Sequence, residues 1–147
     1  AFGCRVIYYS TSGRNSQPGY ERVSFDELLE QSDIVSIHAP LDENTLGLMN
    51  KEAFAKMKKS AILLNVGRGP IINEADLAEA LNNKTIAAAG LDVLSVEPMQ
   101  EDNPLRGIKD SERLLITPHI AWAGVEARNR LMGIILGQIK EFFKAHE

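Results

Sequence analysis

Short apolar segments alternate along the chain with segments of helical character. Five of the apolar segments predict β-strands, and these are residues 5–9, 33–40, 61–65, 86–93 and 114–119. Near-continuous apolar strands that alternate with helices are typical of a parallel sheet covered on both faces. The sequence therefore predicts an α/β fold built on a doubly wound parallel sheet.

Polar residues mark where the intervening helices begin. Ser24 precedes Glu27 by three positions, which is the capping-box pattern, and it predicts a short helix that ends near Gln31. Asn50 and Asn73 stand before two further helical segments, where a side-chain oxygen can accept a hydrogen bond from a free backbone amide. Such helices are the connections that consecutive parallel strands require.

The last segment of the chain, residues 124–147, carries apolar residues at helical spacing. The stripe consists of Leu131, Ile135, Ile139 and Phe142, alongside Met132, Leu136 and Phe143. Apolar residues that recur every three or four positions form one face of a helix. We expect this stripe to pack in a core, and a dimer contact is the second interpretation.

Composition narrows the classes of function. The 147 residues are 44% hydrophobic and 24% charged, which suits one ordinary core, and the net charge is −4 without a basic run. Nucleic-acid binding needs a clustered positive surface, so we expect a small-molecule partner instead. The one cysteine excludes an internal disulfide, and neither a signal peptide nor a long apolar segment is present. We expect a cytoplasmic protein without a membrane segment, and no residue is assigned to a metal.

Chemically active residue types follow directly after the predicted strands. In an open parallel sheet, ligands bind beyond the carboxyl ends of the strands. The residues there are His38 and Pro40 after the second predicted strand, Gly67, Arg68 and Gly69 after the third, Asp92 and Glu97 after the fourth, and His119 after the fifth. Each of them alone is more often an ordinary loop residue, but their shared position favours a site at one edge of the sheet.

Arg68 lies between two glycines. The pattern Gly67-Arg68-Gly69 lacks the third glycine of the phosphate-binding G-x-G-x-x-G fingerprint, so a phosphate loop is not predicted here. Glycine lets the backbone pass close to a ligand, and a guanidinium has the forked shape that binds a carboxylate through two parallel hydrogen bonds. We interpret Arg68 as a clamp for a substrate carboxylate.

Three segments resemble the signature segments of the D-isomer-specific 2-hydroxyacid dehydrogenases. They read LLNVGRGPIINEADLAEAL (63–81), AAAGLDVLSVEPM (87–99) and LLITPHIAWAG (114–124), and the resemblance extends over essentially the whole chain. The HIAWAG run is more similar to the glycerate dehydrogenase or hydroxypyruvate reductase branch. The resemblance implies a Rossmann-type NAD(P)-binding domain. It also implies hydride transfer between NAD(P)H and a small 2-keto or D-2-hydroxy acid of the hydroxypyruvate or glyoxylate type.

The resemblance further implies roles for single residues. Arg68 would bind the substrate carboxylate and carbonyl, Glu97 would pair with His119, and His119 would exchange a proton with the substrate hydroxyl. Asp92 would contact the nicotinamide amide. We expect His38 to shape the wall of the cofactor pocket rather than to donate a proton. The other cofactor-binding positions are Ser10, Thr11, Ser12, Arg14, Ala39, Pro40, Val66, Gly67 and Trp122.

Part of the family pattern is missing from this sequence. Family members carry a strand and a G-x-G-x-x-G turn, and then a helix that ends in something like the AFG of residues 1–3. The missing strand is central in the order 3-2-1-4-5-6, so we expect the strand at 5–9 to be separated from the strand at 61–65. We expect an incomplete NAD(P)-binding domain over residues 1–123. Over residues 124–147 we expect a helix that packs on it or returns to an absent substrate domain.

Cofactor preference depends on the residues that follow the strand at 5–9. A carboxylate that binds the ribose hydroxyls is expected there, but the chain carries Ser10, Thr11, Ser12 and Arg14. Hydroxyls and a guanidinium suit a 2′-phosphate. The sequence therefore favours NADP over NAD.

Two functions remain open at this point. Intact Arg68, Glu97 and His119 favour a dehydrogenase. Loss of the phosphate turn favours a non-catalytic dinucleotide-binding or interaction module derived from the same family. Because a gap in a sheet exposes unpaired backbone groups, we expect either a homodimer or completion by an absent N-terminal segment.

Overall fold

The computed structural model describes residues 3–146, which form two parallel sheets. The smaller sheet pairs β1 (Ile7–Tyr8) with β2 (Glu21–Arg22). The larger sheet contains, side by side and in this order, β3 (Ile34–Ile37), β4 (Ile62–Asn65), β5 (Ala88–Leu91) and β6 (Leu114–Ile116). Because its strands are all parallel, their carboxyl ends meet at one edge. The five predicted strands are confirmed over shorter ranges, and β2 was not predicted.

The α-helices of the described chain are α1 (Phe25–Gln31), α2 (Lys51–Lys56), α3 (Glu74–Asn82) and α4 (Val125–Lys144). The caps predicted for α1, α2 and α3 are confirmed. The Ser24 hydroxyl accepts from the Glu27 amide at 3.2 Å, and the Glu27 carboxylate accepts from the Ser24 amide at 2.8 Å. Asn50 and Asn73 cap α2 and α3 through their side-chain oxygens. Each cap satisfies backbone donors that a helix start otherwise leaves without a partner.

One face of the larger sheet builds the core. Side chains alternate between the two faces of a strand, and the buried set includes Val35 and Ile37 of β3 and Leu63 of β4. The fully buried helical residues Leu29 and Phe54 belong to the same cluster. Burial of a side chain of this size contributes about 1.5–3 kcal/mol, so this cluster supplies most of the driving force for folding.

The opposite face of that sheet is open in the described residues. Ile34 is 58% exposed and Leu115 is 67% exposed. The residues next to each of them on the same strand point to the opposite face, which packs in the core. Helix α1 contacts α2, and α2 contacts α3. All three helices contribute residues to the single core cluster. A doubly wound sheet carries helices on both faces. In residues 3–146, helices thus cover one face of the larger sheet.

The two sheets are separate, as the missing central strand predicts. β1 and β3 each lie at an edge of their own sheet, and no strand in the described part of the chain pairs with both. In the order 3-2-1-4-5-6, the missing strand belongs between these two. The helix end predicted at residues 1–3 falls mainly on residues 1 and 2, which lie outside the described residues.

The final helix, α4, contributes no buried side chain to the core. Its apolar stripe is exposed, with Leu131 at 50% and Phe142 at 58% exposure. The prediction that this stripe packs in a core is therefore wrong for the described residues, because helical spacing identifies a shared face but not what covers it. No helix within residues 3–146 has the length and hydropathy of a membrane span. The dimer contact and the division of the chain at residue 123 stay predictions.

Two isoleucines on β3 test which face of the sheet is buried. Ile37 is 8% exposed and Ile34 is 58% exposed. Because it leaves a cavity in the core, we expect Ile37→Ala to lower the free energy of unfolding of this chain by about 2–5 kcal/mol. Ile34→Ala should cost about 0.5 kcal/mol or less. Urea unfolding followed by circular dichroism measures both losses, and equal losses would contradict a one-sided core.

Candidate active site

A tight turn follows β4 and carries Arg68. The buried Asn65 closes this turn, because its Oδ1 accepts from the Gly67 amide at 3.0 Å and its Nδ2 donates to the Arg68 carbonyl at 2.9 Å. Arg68 itself is exposed, and its Nη1 donates to the Gly67 carbonyl at 2.8 Å. The turn thereby fixes the backbone of Arg68 and leaves its side chain in solvent.

Gly69 joins this turn to the loop after β5. A Cβ atom at position 69 would lie 2.0 Å from the carbonyl carbon of Leu94 and 2.4 Å from the amide nitrogen of Ser95. Side chains do not approach backbone atoms so closely, so only glycine fits there. Sequence reasoning assigned this glycine to the close approach of a ligand. The structure corrects that interpretation, because the close approach is made by the protein's own backbone.

An acid–imidazole pair lies on the loops after β5 and β6. His119 Nδ1 lies 2.8 Å from Glu97 Oε2, and Glu97 Oε1 accepts from the Leu94 amide at 2.9 Å. The Leu94 amide and, after it, the His119 ring hold the pKa of the Glu97 carboxyl below its ordinary value. A carboxylate at Nδ1 fixes the orientation and the tautomer of the ring. It leaves Nε2 as the ring atom that can exchange a proton with a ligand.

His119 has a left-handed backbone conformation, with φ at +54°. This conformation costs a residue other than glycine about 1–3 kcal/mol. Hydrogen bonds to Asp92 offset the cost, because the Asp92 carbonyl accepts from the His119 amide at 2.9 Å. The Asp92 carboxylate also accepts from the Thr117 hydroxyl and from the Ile120 and Ala121 amides. Asp92 thus holds the whole turn that presents the imidazole.

Asp92 is buried, and burial raises the pKa of a carboxyl. Hydrogen bonds from Thr117, Ala121 and Ile120 outweigh that effect and hold the pKa of Asp92 below its ordinary value. Its two oxygens are therefore charged and engaged with the turn that carries His119. The contact with the nicotinamide amide that is predicted for Asp92 stays a prediction.

An open cleft of about 720 Å³ lies beside the Arg68 turn. The loops after β3 and β4 form its walls, which consist of His38, Ala39, Pro40, Leu41, Val66, Gly67 and Arg68. Gly67 lets these loops meet, because a Cβ atom there would lie 3.1 Å from the Ala39 carbonyl oxygen. The His38 ring is held by Ser36 Oγ at 2.9 Å. The structure therefore gathers Arg68 and five predicted cofactor-binding residues in one cleft.

A smaller apolar pocket of about 280 Å³ adjoins the cleft, and Val66 lines both. Asp92 and the turn that carries His119 form part of its rim. Trp122 lines neither pocket, and its indole Nε1 donates to the His119 carbonyl at 3.0 Å. The structure thus places Trp122 as a support of the His119 turn, and its cofactor contact stays a prediction.

The residues predicted to receive a 2′-phosphate follow β1 in the smaller sheet. The Ser10 carbonyl accepts from the Gly13 amide at 3.1 Å, and Arg22 of β2 donates from Nη1 to the Gly13 carbonyl at 3.0 Å. Ser10 is buried, whereas Arg14 is exposed. None of these residues lines the cleft or the smaller pocket. The structure therefore does not bring this loop together with the rest of the predicted site.

Sequence reasoning missed three residues that hold these loops in place, namely Asn65, Thr117 and Arg22. Asn65 had a local signal, because an asparagine ahead of a Gly-x-Gly run can close a turn with its own side chain. Thr117 reaches Asp92 across 25 positions, and Arg22 reaches Gly13 across 9. No local pattern identifies contacts of that range.

A parallel α/β sheet with an arginine turn, an acid–imidazole pair and an open cleft at its strand ends defines a dinucleotide-binding domain of the dehydrogenase class. The sequence profile of the NAD-binding domain of D-isomer specific 2-hydroxyacid dehydrogenases matches residues 1–121. The chain belongs to this family. The predicted family resemblance and fold class are thereby confirmed.

Known relatives agree with this assignment. A hydroxypyruvate reductase from Blautia hydrogenotrophica is 48% identical over 98% of this chain, which covers 44% of that protein. An acyclic imino acid reductase in complex with NADPH and D-Arg is 33% identical with a TM-score of 0.84, over 96% of this chain and 44% of that one. The D-lactate dehydrogenase of Aquifex aeolicus, complexed with NAD and lactic acid, is 26% identical with a TM-score of 0.83. That match covers 98% of this chain and 47% of the A. aeolicus chain. The chain spans less than half the length of these relatives.

The lowered pKa of Glu97 predicts a pH-dependent contribution to stability. A carboxyl with a lower pKa in the folded state stabilises the fold fully above its unfolded pKa, which is about 4.3, and loses this effect as the pH falls through the folded value. We compare the free energies of unfolding of the wild type and of Glu97→Gln. We expect the wild type to be more stable by a constant amount above about pH 5.5, and this difference to shrink below about pH 4.3. Urea titrations at a series of pH values from above about 5.5 to below about 4.3 measure the difference. A difference that grows as the pH falls would contradict the assignment.

Proposed function

We propose that the full-length protein reduces a short 2-keto acid to a D-2-hydroxy acid with NAD(P)H. The observation that carries this proposal is the 2.8 Å contact between His119 Nδ1 and Glu97 Oε2, since the loop that carries Glu97 packs against the Arg68 turn. Bound NAD(P)H would supply the hydride. The substrate type that we propose is hydroxypyruvate or glyoxylate, since the relative from B. hydrogenotrophica is named a hydroxypyruvate reductase.

The chain's own residues divide the remaining work. Arg68 holds the substrate carboxylate through its forked guanidinium and polarises the neighbouring carbonyl. His119 donates a proton from Nε2 to the carbonyl oxygen during reduction and accepts it back during oxidation. Glu97 holds the ring through Nδ1, so that Nε2 keeps this role in both directions.

The cleft fits one part of a dinucleotide. It lies at the carboxyl ends of β3 and β4, where open parallel sheets bind nucleotides, and its volume of about 720 Å³ accommodates a nucleoside. The absence of a side chain at Gly67 keeps its two walls close together. The residues that would hold the cofactor here are His38, Ala39, Pro40, Val66 and Gly67 in the cleft, together with Asp92 and Trp122.

The residues after β1 support NADP as the preferred cofactor. Thr11 and Ser12 offer hydroxyl groups and the exposed Arg14 offers a positive charge, while the buried Ser10 supports the loop by accepting from the Asn15 amide at 3.3 Å. A carboxylate that would repel a 2′-phosphate is not present among residues 9–15 of the sequence. We therefore propose that these residues bind the adenosine side of NADP.

We also propose that an upstream segment of the same protein completes the sheet between β1 and β3. The separate sheets and the open apolar face support this completion. A homodimer through the exposed stripe of α4 is the alternative. The same gap favours a second candidate function, namely a non-catalytic dinucleotide-binding or interaction module. The cytoplasmic location stays a prediction.

Replacement of His119 tests the proposed reaction and distinguishes a dehydrogenase from a non-catalytic dinucleotide-binding module. In the full-length protein, we expect His119→Ala to lower kcat for hydroxypyruvate reduction by about 10²–10⁴-fold, because the proton donor is lost. His146→Ala is the matched control, since the His146 ring bonds the Phe142 carbonyl of α4, stacks on the Phe142 ring and lines neither pocket. Oxidation of NADPH, followed by the absorbance of its reduced nicotinamide, measures the rate. Full turnover by His119→Ala would remove this residue from the mechanism, and an inactive wild type would favour the module.

Cofactor titrations test the NADP proposal and the missing strand together. We expect the full-length protein to bind NADPH more tightly than NADH, and Arg14→Ala to weaken NADPH binding about tenfold or more through loss of a charge-assisted hydrogen bond. Arg130→Ala on α4 is the control. The 147-residue chain should bind both cofactors poorly, because the glycine-rich turn that holds a pyrophosphate is not in its sequence. Nicotinamide fluorescence reports binding. A full-length protein that prefers NADH would contradict the NADP proposal. A 147-residue chain that binds either cofactor as tightly as the full-length protein would contradict the need for the glycine-rich turn.

A further inference from the structure

The loop that carries Glu97 is held from outside by a residue of α3. Glu74, the first residue of that helix, accepts from the Ser95 amide through Oε1 at 2.7 Å. Its Oε2 accepts from Nδ2 of the buried Asn103 at 2.8 Å. Both oxygens of Glu74 are thus engaged with chain segments that follow β5. The carboxylate acts across 21 and 29 positions rather than on the amides of its own helix.

This loop has little freedom to move elsewhere. The backbone at Leu94 and Ser95 packs directly on Gly69, where a single added carbon would lie 2.0 Å from the Leu94 carbonyl carbon. The Leu94 amide donates to Glu97 Oε1, and the next amide along the chain, that of Ser95, donates to Glu74 Oε1. The position of Glu97 therefore depends on contacts on both sides of the loop.

We propose that Glu74 is a positioning residue for the proposed reaction, because its hold on the Ser95 amide keeps Glu97 Oε2 within reach of His119 Nδ1. Glu74 is linked to His119 only through the loop and Glu97, so it acts on the acid–imidazole pair without touching substrate or cofactor. This inference rests on the proposed function. A carboxylate in the first turn also favours a helix start electrostatically, and the test must separate that effect from positioning.

Two conservative variants of the full-length protein make this separation. Glu74→Asp keeps the charge at the helix start but is one methylene too short to reach Ser95, so we expect kcat to fall about 10–100-fold with the KM for NADPH unchanged. Glu74→Gln loses the charge and sets an NH2 group against Asn103 Nδ2, but it keeps an oxygen that can accept from Ser95, so it should retain clearly more of the wild-type kcat than Glu74→Asp. Glu79→Gln, on the same helix and paired with Lys51, is the control and should behave as wild type. The reverse order of the Asp and Gln variants would overturn the inference.

A double-mutant cycle shows whether Glu74 acts through Glu97. If it does, Glu74→Asp should lower kcat in the wild type but cause no further loss in the Glu97→Gln background. Losses that multiply in the double variant would overturn the inference, and so would an undiminished kcat for Glu74→Asp. Failure of the proposed function would give a different result, because the full-length wild type itself would then not reduce a 2-keto acid.

Discussion

The backbone contact between Gly69 and residues 94–95 holds the candidate site together. On one side of this contact, the Asn65 side chain closes the turn that carries Arg68. On the other side, the Glu97 carboxylate joins the loop after β5 to the His119 ring. Because packed protein backbones resist compression, a shift of either loop is transmitted to the other. The backbone of the Arg68 turn and the loop that carries Glu97 are therefore coupled, although they follow different strands.

The parts of the fold that could be predicted from the sequence are those fixed by neighbouring residues. The caps of α1 to α3 depend on contacts within three positions, and each was predicted from one or two residues. β2 was missed because it has two exposed residues and no apolar pattern. Core packing of the α4 stripe was predicted wrongly for the described residues, since its period indicates an apolar face without indicating a partner for it.

The site was predicted in outline because parallel strands place their carboxyl ends at one edge. That rule selected Arg68, Glu97 and His119 before any geometry was known. It could not show that Gly69 accommodates another loop, since that contact joins positions far apart in the chain. Nor could it indicate that the buried Asp92 carboxylate holds the left-handed turn at His119. Long-range hydrogen bonds leave no local signal in the sequence.

The two sheets contribute to function in different ways because the core belongs to only one of them. The loops that carry Arg68, Glu97 and His119 all follow strands of the larger sheet, whose buried face packs in a single cluster. Their geometry therefore does not require the missing central strand. A dinucleotide pyrophosphate, in contrast, needs the glycine-rich turn and helix start that follow such a strand. If an upstream segment completes the sheet as proposed, we expect cofactor affinity to rise without a rearrangement of the acid–imidazole pair, because that pair already lies on loops of the larger sheet.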